Sequence, residues 1–230
     1  MSAAGSTGEF AQRVAMHAAL GDPLRLAIVD DLAVSDRAPK EIGDRFGIAT
    51  NLLAHHLDVL EGAGLIVRFA SAGDGRRRYV RLVHHSRSAF APRAQSSAPM
   101  LFLCTHNSAR SQLAAALWRA RTGAPAESAG THPAHHVHRG AVAAARRAGL
   151  DLSAAAPRLV ANIPVGAQVI TVCDRVHEEL HPEPSWWHWS IPDPVEDGTA
   201  AAFDEVVRNL DARIATLIAP PDADAERNHA

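Results

Sequence analysis

Cys104 and Arg110 bracket the stretch Cys104-Thr105-His106-Asn107-Ser108-Ala109-Arg110-Ser111. A thiolate is a strong nucleophile, and a guanidinium is a planar fork that grips two oxygens of one anion. At the two ends of one tight loop they can attack and hold a tetrahedral oxyanion such as phosphate or arsenate. Arg110 is expected to close on two equatorial oxygens and stabilise a trigonal-bipyramidal transition state. Residues 105–111 are expected to form the oxyanion-binding loop itself.

The elements around this stretch suit the task. An apolar run over 100–103 predicts a strand, and residues 112–121 carry a helical pattern. Strand, tight loop and helix together aim successive backbone N–H groups at one bound anion. The helix N-terminus, the loop amides and the Ser111 hydroxyl, directed at the sulfur, all favour a thiolate.

This loop resembles the signature of low-molecular-weight protein tyrosine phosphatases and of the arsenate reductases that share their fold. The resemblance extends over residues 99–220 through Ser128-Ala-Gly-Thr131, Gly149-Leu-Asp-Leu-Ser153, the apolar run 169–173 and Trp189-Ser-Ile-Pro-Asp193-Pro194. It implies an α/β three-layer domain with a four-stranded parallel sheet. It also implies that Asp193 is the general acid and that Asn107 holds the loop open by bonding its own backbone. At the position of the reductases' second redox cysteine stands Cys173, ending the strand of the run 169–173. Cys173 reads either as that redox partner or as a core residue.

The resemblance places an arsenate reductase ahead of a phosphatase. A reductase needs a second thiol to attack Cys104, and Cys173 is the chain's one other cysteine. The residues after the acid are Val195-Glu196-Asp197, where phosphatases of this fold carry tyrosines, and Trp187-His188-Trp189 resembles the reductase pattern before it. Thioredoxin-coupled reductases have a third cysteine where this chain has Leu180. Either a Cys104–Cys173 disulfide is reduced directly or a low-molecular-weight thiol makes the second attack, so the expected reductant is external, a mycothiol/mycoredoxin or thioredoxin system, with no bound cofactor. Arsenate is the expected substrate and phosphate its analogue.

Composition sets the frame. The chain has 230 residues, room for two small domains, and 47% of them are hydrophobic. No run approaches transmembrane length and no basic-then-apolar leader opens the sequence, so no membrane association and a cytoplasmic location are expected. Two cysteines argue for a reducing compartment. His132, His135, His136 and His138 cluster in one stretch, yet a histidine-rich loop is more simply a solvated one, and no metal site is expected.

Residues 1–85 read as a separate domain, joined by a small, polar, proline-bearing linker over 86–98. A frayed tail is expected over 221–230. Asp22-Pro23 predicts a helix start, Pro39 another, and Gly47 the end of the second. A third helix over 51–62 follows, then two alternating runs around Gly73-Asp-Gly75, which predict a hairpin. This α+β order resembles the ArsR family of winged helix-turn-helix repressors, through Leu20-Gly-Asp-Pro-Leu-Arg25, His56-Leu-Asp-Val-Leu60 and Glu61-Gly-Ala-Gly-Leu65. The resemblance implies a homodimer on a double-stranded DNA operator. Thr50, Asn51, His55 and His56 are the candidate base contacts, and Arg76, Arg77 and Arg78 the candidate wing contacts. Many metal-sensing members carry Cys-x-Cys where this chain has Arg37-Ala-Pro39, and residues 1–98 contain no cysteine. This half thus lacks the soft ligands that arsenite sensing would need.

The expected whole is an arsenate reductase fused to a DNA-binding regulator of arsenic resistance. The alternatives are a tyrosine phosphatase with a DNA-binding module, and an arsenate- or phosphate-responsive repressor with little catalysis.

Overall fold

The computed structural model describes residues 3–83 and 98–218. Most of the expected linker, residues 86–97, and the tail 221–230 lie outside the described residues. The chain divides into two compact units.

The first unit contains α1 (Ala3–Leu20), α2 (Pro23–Val34), α3 (Pro39–Phe46), α4 (Thr50–Gly62), β1 (Ile66–Ala70) and β2 (Arg78–Leu82). Local chemistry sets its boundaries. The Asp22 side chain accepts from Arg25 N at 3.0 Å and Pro23 opens α2, covering orphan donors of the first turn. Gly47 ends α3 at φ 64°, a left-handed conformation that costs glycine little. β1 and β2 pair antiparallel, from Ile66 opposite Leu82 to Ala70 opposite Arg78. Ile28, Leu32, Ile42, Leu57, Leu60 and Val80 meet in one core. Beside it, buried Arg37 pairs with Asp31 at 3.0 Å and exchanges two backbone hydrogen bonds with Val80.

The second unit contains β3 (Met100–Cys104), α5 (Arg110–Thr122), β4 (Ala126–Gly130), α6 (Arg139–Arg147), β5 (Gln168–Thr171), α7 (Asp174–Leu180), β6 (Trp187–His188), α8 (Pro194–Asp197) and α9 (Ala200–Ile218). Its four strands form one parallel sheet in the order β4-β3-β5-β6. Every residue of central β3 is buried, as expected of a strand covered on both faces. Phe102 sits with Trp118 and Trp189 at ring-centroid distances of 6.4 and 6.0 Å. α5 packs on β3, β4, α6 and α9, while α7 packs on β3 and β5.

Boundaries beside the reactive loop and Cys173 differ from the sequence reading. The helix expected from residue 112 begins at Arg110, within the loop. Cys173 does not end the strand: β5 stops at Thr171, and Cys173 stands at the N-cap position of α7 without a side-chain capping bond.

Candidate active site

The loop between β3 and α5 is held from outside by its own carbonyl oxygens. Thr105 O accepts from His132 N at 2.9 Å, His106 O from Ala134 N at 2.9 Å, and Ser108 O from His138 N at 2.8 Å. Asn107 O accepts from the Gln112 side-chain amide at 3.1 Å. In a trans peptide the C=O and the following N–H point in opposite directions. Four consecutive outward carbonyls therefore turn the N–H groups of His106, Asn107, Ser108 and Ala109 toward the opposite side. Asn107 N reaches Cys104 Sγ at 3.2 Å, which fixes that side as the thiol's. The resulting basket is suited to a tetrahedral anion.

The histidine-rich stretch thus holds the loop through its backbone, which side-chain patterns do not report. Among the described residues no group of three or more His, Cys, Asp or Glu could hold a metal ion. Its last histidine caps α6, with Nδ1 accepting from Gly140 N at 3.1 Å.

Asn107 departs from its expected role. It takes φ 47°, tolerable for asparagine. Its side chain bonds neighbouring elements, however, and not its own backbone. Nδ2 donates to Ser111 Oγ at 2.8 Å, while Oδ1 accepts from Gln112 Nε2 at 3.1 Å and Arg158 N at 2.9 Å. Ser111 Oγ stands 3.0 Å from Cys104 Sγ.

Under the loop lies Gly130, the last residue of β4. A Cβ there would sit 2.5 Å from Thr105 O and 2.9 Å from both Asn107 N and Cys104 O. Only glycine lets the loop pass this close to the strand.

Arg110 is buried, and both ends of its fork reach the segment that follows β6. Nη1 donates to Ile191 O at 3.0 Å and Nη2 to Asp193 Oδ2 at 2.5 Å. The other Asp193 oxygen accepts from Val195 N at 3.0 Å. Asp193 is thus a turn-former and an arginine partner at once.

Cys104, Arg110, Cys173, Asp174, Arg175 and Asp193 all help to line one cavity of about 240 Å³. Cys173 Sγ is 3.4 Å from Thr105 Oγ1. Burial pushes the Cys173 thiol above its ordinary value, the nearby Cys104 sulfur adds to this, and Arg110 and the Thr105 hydroxyl work against it.

Sequence reading missed a polar cluster behind Cys173. His188, wholly buried in β6, places Nε2 3.0 Å from Asp174 Oδ1. Its Nδ1 is 2.9 Å from Thr171 Oγ1, which is also 2.9 Å from His177 Nδ1. The two imidazoles stack at 4.1 Å. Burial raises the Asp174 carboxyl, but the hydrogen bond and charge of His188, with a bond from Ser190, outweigh it and hold the group below its ordinary value. The signal available was the histidine spacing 177–188, which lacks meaning until β5 and β6 pair.

In the first unit Thr50, Asn51 and His55 are exposed on α4, and Arg76, Arg77 and Arg78 are exposed around the hairpin turn. His56 is a correction. It is 7% exposed, packed inward, with Nδ1 at 3.9 Å from Asp22 Oδ1. One residue along a helix turns the side chain by about 100°, so adjacent His55 and His56 cannot share a face.

A buried cysteine and arginine on a strand-loop-helix, with an aspartate on the arginine, define a site for nucleophilic chemistry on tetrahedral oxyanions. Residues 99–227 match the family described as low molecular weight phosphotyrosine protein phosphatase. That is more than half of the chain, and the chain belongs to this family. Comparison with curated proteins gives no match. Among solved structures, an arsenate reductase from Archaeoglobus fulgidus is 27% identical, over 53% of this chain and 99% of that one, with TM-score 0.44. A thioredoxin-dependent arsenate reductase from Corynebacterium glutamicum is 27% identical, over 54% of this chain and 61% of that one, with TM-score 0.42. The tyrosine phosphatase Wzb from Escherichia coli K30, in complex with sulphate, is 21% identical, over 50% of this chain and 92% of that one, with TM-score 0.44. Among the described residues no helix is long and apolar enough to cross a membrane.

Proposed function

We propose that the second unit is an arsenate reductase. The observation that carries this reading is the second thiol: Cys173 lines the same cavity as Cys104. Cys104 attacks the arsenic of arsenate, forming an S–As bond, and Asp193 supplies the proton on the departing oxygen. Cys173 then attacks Cys104 Sγ. An S–S bond forms, the S–As electron pair passes to arsenic, and arsenite leaves. Two electrons leave the two sulfurs and reduce As(V) to As(III). An external thiol, of the mycothiol/mycoredoxin or thioredoxin type, restores the pair.

The first unit, in this reading, is a winged helix-turn-helix that binds an operator as a homodimer. α3 and α4 are joined by residues 47–49 alone, and α4 and the hairpin turn present Asn51, His55 and the three arginines to solvent. These are the residue types that contact bases and phosphates.

Phosphatase activity is the second reading, favoured by Cys104, Arg110 and Asp193 lining one cavity, since a nucleophile, an oxyanion clamp and an acid suffice for phosphate-ester cleavage without a second thiol. The deciding experiment measures arsenite formation by the reduced full-length protein with thioredoxin, glutathione-type thiol and mycothiol with its redoxin in turn. The same preparations are assayed with p-nitrophenyl phosphate. For a reductase, Cys173→Ser abolishes arsenite formation and spares any phosphate-ester turnover. Ester hydrolysis far above arsenite formation in the wild type makes the protein a phosphatase.

A further inference from the structure

The whole chain has two sulfhydryl groups, and both open onto one cavity. Each is nearly sealed, at 2% exposure. The Arg110 charge and the Cys104 sulfur both bear on Cys173. Thr105 ties the sites together, since it follows Cys104 directly and its hydroxyl touches Cys173 Sγ. A pair of converging thiols suits a kind of ligand different from the tetrahedral oxyanion of the basket. Trivalent arsenic and antimony are soft, pyramidal centres that prefer thiolates to oxygen.

We propose that Cys104 and Cys173 together form a capture site for trivalent, thiophilic oxyacids, with arsenite as the representative ligand. In this step As(OH)3 exchanges two hydroxyl groups for two S–As bonds. The two thiol protons leave with those hydroxyls as two waters, the third hydroxyl stays on arsenic, and no electrons move. The product is a bis-thiolate arsenic bridge across the cavity. It occupies the nucleophile and the second thiol at once, so it excludes arsenate chemistry while it lasts.

The geometry explains why two anchors are needed. Cys173 is disfavoured as a thiolate by its burial, but a sulfur that bonds arsenic carries no net charge into the interior. The second S–As bond forms within one cavity, at an effective concentration in the millimolar range or above. No other part of the chain offers soft sulfur in pairs, and the first unit offers no cysteine. Any response of this protein to trivalent arsenic through thiolate ligands therefore passes through this cavity.

The inference uses the same two thiols as the reductase reading but does not need turnover. Pre-reduced full-length protein is titrated with sodium arsenite, and bound arsenic is counted after desalting. Alkylation of Cys104 and Cys173 by iodoacetamide is followed in parallel by peptide mass. The expected result is one arsenic per chain, with both cysteines protected together. In Cys104→Ser and in Cys173→Ser the affinity falls about 100-fold or more, the usual gain from bidentate attachment. Retained inorganic phosphate binding by Cys173→Ser shows that its basket is folded. Either single variant binding arsenite as tightly as the wild type overturns the proposal, as do cysteines that stay open to alkylation at saturating arsenite. Arsenate reduction without arsenite capture removes the capture site alone. Capture without reduction removes the reductase reading alone.

Discussion

Asn107 fixes the direction of the Ser111 hydroxyl. Its Nδ2 can only donate, and it lies 2.8 Å from Ser111 Oγ. The serine oxygen is thereby an acceptor on that side, which leaves its own proton for Cys104 Sγ at 3.0 Å. The order of donation runs from asparagine to serine to sulfur.

Ser111→Ala removes that donor. A hydrogen bond to a charged group contributes about 1.5–3 kcal/mol, so Cys104 alkylation by iodoacetamide at neutral pH should slow about 10- to 100-fold. Asn107→Asp keeps the serine but offers its hydroxyl a better acceptor than the sulfur, and the rate should fall in the same direction. An unchanged rate in both variants would show that the hydroxyl does not serve the thiol.

Gln112 supports the basket from behind. Its Nε2 lies 3.1 Å from each of three oxygens, Asn107 O, Asn107 Oδ1 and Ala156 O. Three acceptors around one atom identify it as the nitrogen. Gln112→Leu takes the side-chain donor from the buried Asn107 carbonyl, at about 1–3 kcal/mol. It should weaken inorganic phosphate binding roughly tenfold, by the rule that 1.4 kcal/mol is one decade. Gln112→Glu places an oxygen against those three oxygens and should weaken it further. Phosphate affinity equal to the wild type in Gln112→Glu would remove Gln112 from the positioning of the loop.

What could be read from the sequence followed from local rules. Asp22-Pro23 and Gly47 bound helices because capping and left-handed backbone are decided within a few residues. The apolar run over 100–103 and the loop after it were legible for the same reason, since the cysteine and arginine lie on one short segment. What escaped was assembled from distant segments. The support of the basket comes from backbone N–H groups of His132, Ala134 and His138, which donate whatever their side chains are. Likewise, the His188–Asp174 contact exists only because β6 pairs with β5 and brings residues 174 and 188 together. His56 was misjudged because chain adjacency to His55 says nothing about which helix face is buried.

Gly130 is a test of close approach. A methyl group at this position meets backbone atoms of Thr105, Asn107 and Cys104, none of which can rotate away as a side chain would. Gly130→Ala should therefore shift the loop, lower stability by about 1–3 kcal/mol as overpacking does, and depress phosphate binding. Gly123, with nothing near its Cβ position but φ 69°, provides the control. Gly123→Ala should cost stability from backbone strain while leaving phosphate affinity intact. If the two variants lose phosphate affinity equally, close packing under the loop is not what Gly130 supplies.

The Asp174–His188 pair sets an acid limit for the second unit. The folded Asp174 carboxyl lies below its ordinary value because His188 and Ser190 outweigh its burial. A depressed carboxyl contributes stability that is present above the unfolded value, about 3.9, and is lost as pH falls through the folded value. His188→Phe keeps an aromatic ring in the stack with His177 but removes the largest opponent of burial, leaving only the bonds from Ser190 and Ala72 N against it, so the Asp174 carboxyl rises. Acid destabilisation should consequently begin at higher pH in His188→Phe than in the wild type. Urea midpoints measured from pH 7 down to pH 3 report this directly. Because Asp174 adjoins Cys173, the same variant should also change the rate at which the Cys104–Cys173 disulfide forms under mild oxidant. Superimposable pH profiles for the two proteins would show that the buried imidazole does not hold the carboxylate.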